Sequence, residues 1–154
     1  LAMHLRNHPS VDPAWFEIEI LESAAIGKIN EAARVIERCK ALGVSVSLDD
    51  FGTGYAALDY LKRLPAQTLK IDQSFVRDMQ SDDTDMTIVK GIIGLADAFG
   101  FGVIAEGVET PEQGRMLVEL GCNIGQGYGI AKPMPADKVA HWVSTWKCPQ
   151  DWRF

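Results

Sequence analysis

A short apolar run followed by a helical stretch recurs five times along the 154 residues. The runs are Trp15–Ile20, Val44–Leu48, Thr68–Asp72, Gly102–Glu106 and Cys122–Gln126, with starts roughly 20 to 35 residues apart. No feature restricts the fold more. Neighbouring parallel strands need a crossover of a dozen residues or more, and the stretches between these runs supply it as helix. The predicted class is α/β with a parallel sheet. The rhythm allows an open doubly wound sheet or a barrel. No Gly-x-Gly-x-x-Gly follows any run, so the dinucleotide-binding version lacks its signature.

The helical signals are clear at most positions. Leu1–Arg6 reads as the tail of a helix, followed by a proline-marked turn from His8 to Pro13. Ile29, Ala33, Ile36 and Ala41 repeat at helical spacing over Ile29–Leu42, and Gly43 ends the run. Further helices are expected at Tyr55–Leu64, stopped by Pro65, and at Thr84–Phe99, with Ile88, Ile92, Leu95 and Phe99 on one face. Ser74–Met79 makes a helical turn. Thr110-Pro111-Glu112-Gln113 opens another helix as a capping box, and Pro135–Trp146 forms the last. Residues 1–147 then read as one domain and 148–154 as a tail without a structural signal.

Charge narrows the partners. With 15 basic and 21 acidic residues the net charge is −6, which argues against gripping polymeric nucleic acid through its phosphates. A small phosphorylated ligand remains compatible if metal ions or a single lysine supply positive charge. The cysteines Cys39, Cys122 and Cys148 have neither zinc-site spacing nor an even count, and reduced cytosolic thiols are the expectation. Apolar stretches are broken by Gly or charge, so no direct membrane contact is expected from this segment. The localisation expected is cytoplasmic, and a longer parent anchored through other domains stays compatible with it.

Each apolar run ends in a charged or amide residue: Glu19, Asp49 with Asp50, Lys70, Glu106 and Gln126. In a barrel of βα units the reacting groups sit at the C-terminal ends of several strands. Glu19, Asp49, Asp50 and Glu106 offer hard oxygen donors suited to Mg²⁺ or Mn²⁺. Two such ions side by side can clamp the attacking and leaving oxygens of a phosphoryl centre. Asp49 and Asp50 share a site only if the chain leaves strand geometry between them, which Gly52 and Gly54 favour. Taken alone, the pair also reads as a solvated acidic cap of the next helix. Lys70 could position or activate water, hold a phosphate, or simply pair with a neighbouring carboxylate. Gln126 could orient water or ligand. Glu22 and Glu109 each lie three residues past a candidate ligand and are placed to brace loops or the metal's ligands rather than to bind metal directly.

Five ordered segments carry a resemblance. Glu19-Ile20-Leu21-Glu22-Ser23, Asp49-Asp50-Phe51-Gly52-Thr53-Gly54, Leu69-Lys70-Ile71-Asp72, Ala105-Glu106-Gly107-Val108-Glu109-Thr110 and Gly125-Gln126-Gly127-Tyr128 resemble the later motifs of the EAL domain. Members are bacterial phosphodiesterases that hydrolyse cyclic di-GMP to linear pGpG with Mg²⁺ or Mn²⁺. The resemblance implies a modified TIM barrel, of which this chain holds about five βα units. It implies Glu19, Asp49 and Asp50 as metal ligands of a two-metal site. It implies Lys70 near the reacting water or metal, with Glu106 helping to hold the metal or its water. Glu109 and Gln126 resemble accessory residues. Glu22 resembles the glutamate anchoring the loop after Asp50, and that loop, Phe51–Tyr55, resembles one that couples metal binding to dimerisation.

The family's Glu-Ala-Leu motif and a metal-binding asparagine are not among these residues, and the resemblance places both upstream of Leu1. Two readings follow. One is a cyclic di-GMP phosphodiesterase domain active in the parent protein. The other is a catalytically inactive truncated fragment that binds ligand or self-associates, with homodimerisation or rearrangement covering the open barrel.

Overall fold

In a computed structural model of the chain, whose described residues are 1–54 and 58–152, four parallel strands stand side by side in chain order. They are β1 (Glu17–Leu21), β2 (Ser45–Phe51), β3 (Thr68–Ile71) and β4 (Gly102–Ala105). All three pairings are parallel and join neighbours in sequence. All strand C-terminal ends therefore share one side of the sheet. The fold is α/β, an arc of βα units of the TIM-barrel type.

Helices make the crossovers. They are α1 (Ala2–Asn7), α2 (Glu22–Gly27), α3 (Ile29–Lys40), α4 (Leu58–Leu61), α5 (Gln73–Asp78), α6 (Asp83–Phe99), α7 (Pro111–Glu119) and α8 (Ala136–Thr145). The central strands carry the core. Val46, Leu48, Leu69 and Ile71 are fully shielded, and Ile36, Val76, Val89 and Ala96 of the helices close over them. Both faces of β2 and β3 are covered, so the polar Ser47 and Lys70 are buried alongside the apolar residues they alternate with. β1 is half-buried and alternates, with Ile18 and Ile20 inward and Glu17, Glu19 and Leu21 outward.

The structure corrects several boundaries. Trp15 belongs to a 3₁₀ turn over Pro13–Trp15, and Glu22 begins α2 rather than trailing the strand. Asp72 is the N-cap of α5, its carboxylate accepting from the Ser74 amide at 2.9 Å. The expected fifth strand is reduced to one parallel bridge between Ala105 and Gly125. Its backbone still bonds β4, since Ala105 N–H donates to Ile124 O at 3.0 Å and Gln126 N–H to Ala105 O at 2.8 Å. Two glycines follow within four residues, so the ladder stops there. Of the helix expected over Tyr55–Leu64, α4 is the described part; Tyr55 lies outside the described residues. The tail is not structureless. Gln150–Trp152 form a 3₁₀ turn, and the Trp152 indole donates to Pro111 O at 2.7 Å while resting on Gly114.

Candidate metal centre at the strand ends

The parallel arrangement carries Glu19, Asp49, Lys70 and Glu106 to one side of the sheet. Lys70 sits at the centre, on β3, only 3% exposed. Its Nζ lies 2.6 Å from Glu19 Oε1, 2.9 Å from Asp49 Oδ1 and 2.6 Å from Glu106 Oε1. An ammonium has three N–H donors, and three carboxylates surround this one. Burial alone lowers an ammonium's pKa, but the hydrogen bonds to Asp49, Glu106 and Glu19 outweigh it, and Lys70 is held well above its ordinary range. It is a fixed cation and not a base.

Asp50 joins the group through an irregularity in the strand. It is the one non-glycine with positive φ among the described residues, at φ +53°. The β2–β3 register slips between Leu48 and Phe51 at the same place. A bulge of this kind re-aims a side chain, and aspartate tolerates the left-handed region better than most residues. Strand geometry is thus broken at Asp50 itself, ahead of the glycines. Gly52, at φ +100°, then turns the chain where an added Cβ would come within 2.9 Å of Ile92 Cδ1.

Oxygens of Asp49, Asp50 and Glu106 all lie within 4.8 Å of one another. That is a hard-oxygen set able to hold a divalent cation. Glu19 is not in this group. It pairs with Ser47, two residues before Asp49, and so reaches Lys70 from a level below the oxygen cluster. Asp72 adds negative charge. Burial, then the charges of Asp49 and Asp72, raise the Asp50 carboxyl above its ordinary value, while Lys70 opposes them. Five acidic groups, Glu19, Asp49, Asp50, Asp72 and Glu106, against one lysine leave an excess of negative charge for which a divalent cation is the fitting counterpart.

The remaining candidates surround this centre. Glu22 is 1% exposed, accepting from Gly52 N–H at 2.8 Å and from Tyr60 O–H at 3.1 Å. It holds the loop after Asp50 from beneath. Burial and the Glu22 charge keep the Tyr60 phenol protonated far into the alkaline range. Glu109 and Gln126 do not reach Lys70. With Glu106, Gln73, Gly107, Gly127 and Tyr128 they line an open cavity of about 290 Å³ beside the oxygen cluster. Two further contributors had no distinct signal as site residues. Asp72 reads as the end of a strand, and Gln113 reads as an ordinary capping residue. Only proximity to Asp50 marks the first, and only burial marks the second.

The EAL domain pattern matches residues 1–133. The chain belongs to the EAL domain family. This EAL chain is 42% identical over 130 residues to the bifunctional diguanylate cyclase/cyclic di-GMP phosphodiesterase MucR of Pseudomonas aeruginosa, covering 84% of the chain and 19% of that protein. Its fold is similar to the solved PaMucR phosphodiesterase in its c-di-GMP complex, with TM-score 0.85, 41% identity, and coverage of 90% of this chain and 56% of that one. It is also similar to Klebsiella pneumoniae BlrP1 in a manganese/cy-diGMP complex, with TM-score 0.77, 30% identity, and coverage of 86% and 34%. The EAL chain spans about a fifth of the length of the curated relatives it matches. Among the described residues no helix is long and apolar enough to cross a membrane.

Proposed function

We propose that this EAL chain contributes to metal-dependent hydrolysis of cyclic di-GMP to linear pGpG. The observation that carries the reading is the convergence of Asp49, Asp50 and Glu106 oxygens within 4.8 Å beside a buried lysine. These three residues would hold Mg²⁺ or Mn²⁺, with Glu19 joining a two-metal site. When bound, such ions supply Lewis-acid stabilisation to a phosphodiester and its attacking water. Lys70 holds its proton throughout the working pH range, so it orients the Glu19, Asp49 and Glu106 carboxylates and offsets part of their charge. Glu22 fixes the loop carrying Gly52, and Glu109 and Gln126 face the adjoining cavity, where ligand edges would be read. The EAL portion is taken as residues 1–147, acting in the cytoplasm as a homodimer.

Mn²⁺ titration followed by cyclic di-GMP turnover, on this chain and on a version extended upstream, tests the reading. The extended form is expected to bind Mn²⁺ and release pGpG. Ligand binding without turnover in the extended form would overturn the enzyme reading. The second reading is a ligand-binding or self-associating module without turnover. What favours it is apolar exposure at both margins of the sheet, with Trp15 77% and Ile124 58% exposed.

A further inference from the structure

We infer that Gln113 is a positioning residue that sets where Glu106 stands relative to Asp49 and Asp50, an inference resting on the metal site proposed above. Gln113 is a buried polar side chain, 3% exposed, on the first turn of α7. Its amide is fully used. Oε1 accepts from Glu109 N–H at 2.8 Å and Thr110 N–H at 3.0 Å. Nε2 donates to Val76 O and Arg77 O, each at 3.2 Å. Only one orientation of the amide satisfies two donors on one side and two acceptors on the other.

A capping box needs only the contact with the N-cap amide. The other contacts do something else. Val76 and Arg77 lie in the last turn of α5, where helix carbonyls have no partner of their own. Gln113 spends its donors there and so ties the loop after β4 to the helix after β3. The loop meets α5 a second time, because a Cβ on Gly107 would come within 2.7 Å of Gln73 Cβ. The near end of the loop is fixed by the sheet, Glu106 N–H donating to Ile71 O at 3.2 Å. Its far end is fixed by Gln113. The loop that begins at Glu106 is thereby tied to α5, the helix that follows Lys70 and Asp72. Losing the amide frees the far end, and the Glu106 carboxylate loses its register against β2.

Three variants separate this tie from capping. Gln113→Glu keeps the length and the capping acceptor but presents a carboxylate to the α5 carbonyls. Gln113→Asn keeps an uncharged amide too short to span both sides. Thr110→Ala removes the cap alone. Amide exchange in metal-free protein is expected to be about tenfold faster from Glu106 to Thr110 in both Gln113 variants, with β2 unchanged and a smaller effect in Thr110→Ala. Mn²⁺ affinity is expected to fall about 10- to 100-fold, the usual result of losing a residue that orients a ligand. Exchange in the Gln113 variants no faster than in Thr110→Ala overturns the inference, as does unchanged Mn²⁺ affinity. Should one Gln113 variant fail to fold, the other carries the same comparison. Wild-type chain that binds no Mn²⁺ counts against the metal site instead, and metal-free exchange then decides the role of Gln113.

Discussion

The Lys70 ammonium, on β3, lies 2.6 Å from the Glu106 carboxylate, which stands just beyond the end of β4. Both groups are mostly shielded, with side-chain exposures of 4% and 17%. The same ammonium reaches Asp49 and Glu19. Lys70 therefore ties together three carboxylates from three other parts of the sheet and offsets part of their charge, so its removal is expected to affect folding.

Lys70→Met is expected to destabilise the metal-free chain by on the order of 3 kcal/mol, at the low end for a broken buried pair because Glu19 is half exposed. Urea unfolding in the presence of chelator measures it. Excess Mn²⁺ should restore part of the loss, since a cation again faces the carboxylates. A variant as stable as wild type would show that the three ion pairs contribute nothing.

Alkaline pH gives the same ion pairs a second test. The Lys70 pKa is raised above its ordinary 10.5 in the folded protein. A raised ammonium stabilises fully below the unfolded value and loses that contribution as pH rises through the folded one. The wild-type advantage over Lys70→Met should therefore be constant near neutrality and shrink above 10.5. An advantage independent of pH in that range contradicts the assignment.

Asp50→Asn is expected to act in opposite directions on stability and on metal binding. The Asp50 carboxyl is raised from its ordinary 3.8. Its contribution is favourable below that value and is lost as pH climbs through the folded one, so at neutral pH the ionised group opposes folding. The asparagine variant, which also tolerates φ +53°, should be the more stable at neutral pH without metal and lose that advantage under acid. Its Mn²⁺ affinity should fall, as should that of Asp49→Asn. Calorimetric titration and thermal unfolding with chelator read the two effects separately.

Glu22→Ala strands two donors, the half-buried Gly52 amide and the buried Tyr60 hydroxyl. A cost of about 1–3 kcal/mol is expected, with faster amide exchange at Gly52. Unchanged exchange at Gly52 would show that the loop holds itself.

Much of the candidate site was legible because its signals are local. Apolar runs ending in Glu19, Asp49, Lys70 and Glu106 announce strand ends, and strand ends in a parallel sheet share one side. Glu22, three residues past Glu19, was legible as a brace for the loop. The fifth run was misread because Cys122–Gln126 has a strand's composition but only one bridge to β4. Trp152 had no periodic context, and its place on Gly114 depends on a partner 38 positions away.

What the sequence determined by itself was the alternation of strand and helix, the parallel sheet it requires, and the chemical character of each strand end. These follow from periodicity and composition within a few residues. The tertiary structure decided which of those ends meet. Register leaves Glu19 opposite Ser47 and outside the oxygen cluster, while the bulge at Asp50 turns a second aspartate toward Glu106. Gln113 acquired its Val76 and Arg77 partners only when α5 and α7 were brought together. Register, bulges and contacts between helices depend on how distant segments fit in space, and no local pattern along the chain encodes them.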